Sequence, residues 1–200
     1  MYIPTRYVDS DSERVLQFMR SNAFAAVVSS GAASPVATHL PLSFSGPPER
    51  LVLRGHFAKA NPHWQLIAES ETLVIFTGPH AYITPRWYDR SESVPTWNYL
   101  SVHAYGQARL TNAGETRQGL LDLFEQNDAS YREQWEALSD RYRDGMLAGI
   151  VGFEIAVNRI EAAAKLSQNR TAAEQDRIAS HLQASDDQLE RATGTQMKNR

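Results

Sequence analysis

The sequence predicts a mainly β, α+β fold: a barrel of six or seven antiparallel strands with helices at its periphery. Three observations carry this reading. Strand-like segments follow one another through the first 110 residues without regular alternation with helices, which disfavours a doubly wound parallel sheet. In one of them Val36, Thr38, Leu40, Leu42 and Phe44 alternate with Ala37, His39, Pro41 and Ser43, the period-2 pattern of a half-buried strand. Amphipathic helical patterns come mainly late, between 115 and 147 and again after 171.

Taken in order, a helix is expected from Ser12 to Ser21, with Ser10 and Glu13 at capping-box spacing and Val15, Phe18, Met19 and Asn22 on one face. Ala25–Ser30 is a β-branched apolar run closed by Gly31. Pro41, unable to donate to a ladder, belongs at an edge or a bulge of the Val36–Phe44 strand. Ser45-Gly46-Pro47-Pro48 turns the chain into a strand at Leu51–Gly55, and Asn61-Pro62 supplies an N-cap and first residue for a short helix. Short strands follow at Thr72–Thr77, ended by Gly78-Pro79, and at Ala81–Thr84. A polar aromatic loop fills Pro85–Val94, and the longest strand spans Trp97–Leu110. Helices at Glu115–Gln126 and Tyr131–Leu147 turn Leu120, Leu123, Phe124, Trp135 and Leu138 inward. Ile150–Val157 is the final strand, and Thr171 with Glu174 caps a last helix. The organisation expected is one domain over residues 1–185 and a flexible tail over 186–200.

Composition narrows the function classes. Two hundred residues, 42% hydrophobic and 22% charged, suit a globular domain with its own core. Cysteine is absent, which removes disulfides, thiolate metal sites and a cysteine nucleophile, and suits a reducing cytoplasm. The opening MYIPTRYVDSDSERV has no apolar signal core. No run approaches the roughly 18 apolar residues of a membrane span, so no membrane partner is expected. A net charge of −3 disfavours binding to DNA mainly through phosphates.

GxGxxG, GxxxxGK[ST], GxSxG and HExxH are missing, and no two of the six histidines have i, i+2 or i, i+4 spacing, so no metal site is expected. What stands out is a set of polar and aromatic clusters at strand ends: Ala37-Thr38-His39-Leu40-Pro41, Gly55-His56 through Asn61-Pro62, Tyr82 through Tyr88, Val94 through Tyr99, and Lys165-Leu166-Ser167-Gln168-Asn169. Trp64, Trp87 and Trp97 lie near prolines in polar surroundings, where an indole N–H needs a partner. Aromatic walls with a few donors suit a flat ring such as a flavin, and Lys59 before the Asn61-Pro62 helix start suits its phosphate. Simpler roles stand beside these. Each tryptophan can be core, His39 can face solvent, His56 can close a turn, Lys59 can be a solvated loop residue, and Ser167 and Asn169 can satisfy a local turn.

Taken together, these clusters resemble the FMN-binding negative transcriptional regulators of the PaiB type. The matching segments are Met1-Tyr2-Ile3-Pro4, Ala37 through Pro41, Gly55 through Pro62, Phe76 through Pro79 with Tyr82-Ile83, Val94 through Tyr99 with Val102-His103, Val151 through Ile155, and Lys165 through Asn169. The family pattern carries a lysine two positions before Lys165, where this chain has Ala163. The resemblance implies a split β-barrel, FMN at a homodimer interface, and a negative regulatory role with a DNA or protein target. The candidate cofactor-binding residues are Thr38, His39, His56, Lys59, Asn61, Trp97, Tyr99, Lys165, Gln168 and Asn169. Two other classes stay open: a flavin-dependent reductase or oxidase, and a haem-binding split barrel with His39 or His56 on the iron.

Overall fold

Seven strands make one sheet in the order β2-β1-β5-β6-β7-β4-β3, in a computed structural model that describes residues 1–199. The strands are β1 (Phe24–Ser30), β2 (Pro35–Pro41), β3 (Ser43–Ser45), β4 (Val52–Ala58), β5 (Glu71–Ile83), β6 (Thr96–Leu110) and β7 (Ile150–Lys165). The helices are α1 (Ser12–Ser21), α2 (Ala113–Asp128), α3 (Tyr131–Ala137), α4 (Asp140–Ala148), α5 (Ala172–Gln183) and α6 (Gln188–Lys198). The chain divides into two compact units. One holds Met1–Val15, Thr77–Val102 and the chain from Glu161 onward; the other holds Leu16–Phe76 and His103–Ile160.

In the second unit β1 pairs antiparallel with β2 (Ala26 opposite His39) and with β5 (Val27 opposite Val74). β4 pairs antiparallel with β3 and along its whole length with β7, Gly55 opposite Phe153. Phe57, Phe153, Leu42, Leu53 and Ile155 are fully buried there, and the Phe57 and Phe153 rings are 4.9 Å apart. The expected alternation holds from Val36 to Leu42 and fails at Ser43, which is buried beside Leu42; the chain breaks at Leu42, whose N–H bonds Ala23 C=O at 3.0 Å. The segment therefore becomes two strands at opposite edges of the order, with Pro41 ending an edge strand as its missing donor requires. Asn112 and Glu115 form a capping box that starts α2. The expected Tyr131–Leu147 helix is two, because Ser139 accepts from Tyr142 N–H and caps a new start.

In the first unit Ala81, Ile83, Tyr88, Ile178 and Leu182 form a core against which Trp87 and Met197 pack. Burial of Ile178 and Leu182 contributes about 1.5–3 kcal/mol each. Thr171 and Glu174 cap α5 through the expected box. At α1 the cap is Asp11, whose carboxylate takes Arg14 N–H at 3.0 Å, in place of the expected Ser10.

Three extents differ from expectation. β5 is one strand of thirteen residues: its buried positions slip phase from Thr72, Val74, Phe76 and Gly78 to Ala81 and Ile83, so Gly78-Pro79 interrupts the alternation without ending the strand. β7 continues eight residues past Val157, with Ala162, Ala163 and Ala164 buried although alanine has little strand preference. In the expected tail, Asp187 caps α6 and Thr193 and Gly194 are buried.

Candidate functional site

In the first unit the alternation of β6 sets Trp97, Tyr99 and Ser101 on one face and the buried Asn98, Leu100 and Val102 on the other. Trp97 is 52% exposed and Tyr82 45%. The indole meets the His80 ring at 5.9 Å and the Tyr82 ring edge-on at 6.0 Å. A half-exposed indole flanked by two rings can serve as a platform for a flat aromatic ligand.

Lys165, at the end of β7, is half-buried. Its ammonium hydrogen-bonds the Thr96 hydroxyl and lies 5.9 Å from the centre of the Tyr7 ring. Burial pushes this lysine below its ordinary pKa. Tyr7 OH donates to Asn169 Oδ1 at 3.4 Å. Ser167, in the left-handed region at φ 64°, is buried and exchanges two hydrogen bonds with fully buried Asn98, at 3.0 and 3.1 Å. Gln168 folds onto its own turn: its Oε1 accepts Leu166 N–H at 2.7 Å and its Nε2 donates to Ala164 C=O. The turn thus engages Ser167 and Gln168 internally, and among the described residues Lys165 makes no ion pair.

In the second unit Asn61, Thr38 and His63 form a chain of contacts. Asn61 caps the 3₁₀ turn Pro62–Gln65 by accepting His63 N–H, and its Nδ2 donates to Thr38 Oγ1 at 3.2 Å, which lies 2.9 Å from His63 Nδ1. The amide expected to meet a phosphate is therefore already bonded. His63 is buried against Phe57, burial pushes its pKa down, and its Nε2 has no protein partner. His39 faces outward and stacks on exposed Phe24 at 6.1 Å. His56 is partly buried with Thr111, Thr116 and Leu120, and desolvation lowers its pKa. Lys59 is exposed at a cleft of about 580 Å³ with Thr111, Thr116, Arg117 and Gly152 on its walls.

The structure thus joins Thr38 with Asn61 in one cluster, and Lys165 with Thr96, Tyr7 and Asn169 in another. Trp97 stands with His80 and Tyr82. Thr96, Tyr7 and His63 were not among the expected residues. The alternation of β6 was a usable signal for the aromatic face, whereas nothing local pairs Tyr7 with a residue over 150 positions away.

A family described as "Putative FMN-binding domain" matches residues 1–159. The chain belongs to this FMN-binding domain family. It is 41% identical over 187 residues to "Protease synthase and sporulation protein PAI 2" of Bacillus subtilis (strain 168), covering 92% of this chain and 89% of that one. Two solved structures share the fold: the flavocytochrome Anf3 of Azotobacter vinelandii (TM-score 0.64, 14% identity, 79% of this chain and 69% of that one) and the FAD and heme binding protein of Mycobacterium smegmatis (TM-score 0.65, 17% identity, 84% and 77%). The fold class is the antiparallel split barrel with peripheral helices. No helix among the described residues is long and apolar enough to cross a membrane.

The residues present fit the family's cofactor. Isoalloxazine needs an aromatic wall and donors or cations at its carbonyl edge; Trp97 can offer the first, and Lys165, bonded to Thr96, can separately offer a cation. A phosphoryl group needs a cation and hydroxyls around a cleft, which Lys59, Thr111 and Thr116 can offer.

Proposed function

We propose that this protein binds FMN at the interface of a homodimer in the cytoplasm and serves as a negative regulator whose partner contacts follow the occupancy or redox state of the flavin. The observation that carries the reading is Lys165: a half-buried ammonium held by the Thr96 hydroxyl beside the Tyr7 ring, on a chain of the FMN-binding domain family. A cation placed this way is stabilised by an electron-rich ligand edge. Trp97 orients the ring by stacking, and Tyr99 lies on the same face. In the other unit, Lys59 is a separate candidate for a phosphoryl group, beside the Thr111 and Thr116 hydroxyls. Bound FMN supplies a centre that takes up and returns electrons reversibly. The second copy is expected on the exposed aromatic face of β6, because an apolar sheet face gains by being covered. The regulatory role is supported by similarity to a relative named for protease synthesis and sporulation.

The test is the visible spectrum of the purified protein with an FMN fluorescence titration and light scattering. Flavin bands, saturable quenching and a dimer mass are expected. Weaker FMN binding by Lys59→Ala checks the phosphate contact. No FMN binding, or a haem Soret band in place of flavin bands, refutes the cofactor reading, and a stable monomer at micromolar concentration refutes the interface.

A further inference from the structure

Among the described residues, Lys165 differs from the other cations in its unit by being half-buried with no ion pair. Arg14 is paired with Asp9, Arg177 with Asp89 and Lys198 with Asp176, the Arg170 guanidinium lies 3.5 Å from the centre of the Tyr88 ring, and Arg6, Arg86, Arg90 and Arg191 are exposed to solvent. Facing Lys165 are the Thr96 hydroxyl from β6, the Tyr7 ring from the N-terminal segment, and a β7 end whose Ala163, Ala164 and Leu166 are buried. The carboxylate of Glu174, the acid that starts α5, is already bonded to Asp89 N–H and Thr171 N–H. A cation lifted partly out of water, held in place by a hydroxyl and left without an anion, attracts negative charge more strongly than a solvated one.

We propose that Lys165 makes the site bind reduced FMN more tightly than oxidised FMN, so that the protein discriminates the redox state of its flavin. The inference rests on the FMN-binding reading above and adds a direction to it. The oxidised ring is neutral. Taking up two electrons and one proton gives a ring with one negative charge on its pyrimidine edge, and the Lys165 ammonium compensates that charge. Thr96 is a positioning residue, since its hydroxyl fixes where the ammonium sits. By the binding cycle, a tenfold preference for the reduced form raises the midpoint potential of bound FMN by about 30 mV over free FMN.

The experiment measures dissociation constants for oxidised FMN and for dithionite-reduced FMN under anaerobic, mildly alkaline conditions, together with the midpoint potential of bound FMN. The variants are Lys165→Met, Lys165→Gln and Lys165→Arg. Wild type is expected to prefer the reduced form by about tenfold or more. Both neutral variants should lose that preference and lower the bound potential, with little change for oxidised FMN, and Lys165→Arg should restore it. Thermal melts of the apoproteins identify a neutral variant that folds as wild type does. If the neutral variants weaken both redox forms equally, Lys165 meets the phosphate or acts uniformly; this inference falls and FMN binding stands. If wild type binds neither form, the FMN reading falls, and this inference with it.

Discussion

Asn98 and Ser167 make a pair whose removal reads out how the Lys165 turn is held. Asn98 is fully buried, and its amide both donates to and accepts from Ser167 Oγ. Asn98→Ala removes two hydrogen bonds to Ser167 of about 0.5–1.5 kcal/mol each, together with a weaker one from Nδ2 to Met197 Sδ at 3.4 Å, and leaves the buried Ser167 hydroxyl unpaired, so a loss of about 2–4 kcal/mol is expected. Ser167→Ala removes the two Asn98–Ser167 bonds from the other side and keeps a Cβ at φ 64°. Because both substitutions break one interaction, the double variant should be less destabilised than the sum of the singles by about 1–2 kcal/mol. Ser167→Gly loses the bonds as well, but relieves the left-handed backbone by about 1 kcal/mol, and so should be more stable than Ser167→Ala. Urea unfolding followed by tryptophan fluorescence measures all four variants. Strict additivity of Asn98→Ala and Ser167→Ala, or Ser167→Gly less stable than Ser167→Ala, refutes the reasoning.

Two further outcomes follow from other sites. Arg109, then the Asn112 N–H, hold the Glu115 carboxyl down to about 2, from an ordinary 4.5. A depressed carboxylate stabilises fully above its unfolded pKa, so this contribution is complete above about pH 4.5 and fades as pH falls toward 2. Glu115→Gln should flatten that part of the acid-unfolding profile, and an unchanged profile argues against the capping-box ion pair. A Cβ on Gly106 would come within 2.2 Å of the Ala156 carbonyl oxygen on β7, a backbone atom with little freedom to move. Gly106→Ala should therefore cost about 2 kcal/mol or more, seen as a lowered Tm, and an unchanged Tm would show that the two strands can separate at no cost.

Local chemistry made several elements legible in advance. The Thr171/Glu174 box announces α5, Asn61-Pro62 announces a capped turn, and the alternation from Val36 to Leu42 announces a half-buried strand, because each depends on residues within a few positions. The likeness of the clusters to the FMN-binding family was legible for the same reason. What no local window holds is partner geometry. β7 runs through the alanines before Lys165 because Phe24-like strand formers are unnecessary where buried small side chains pack and Val8 bridges Ala163. α6 forms where the sequence reads as a loose tail because Met197 packs on a core that only the fold assembles. The state of Lys165 is decided in the same way. Its charge is written in the sequence, but whether a charge is paired depends on what lies around it in space, and here Thr96 and Tyr7 arrive from 69 and 158 positions away with nothing negative to offer.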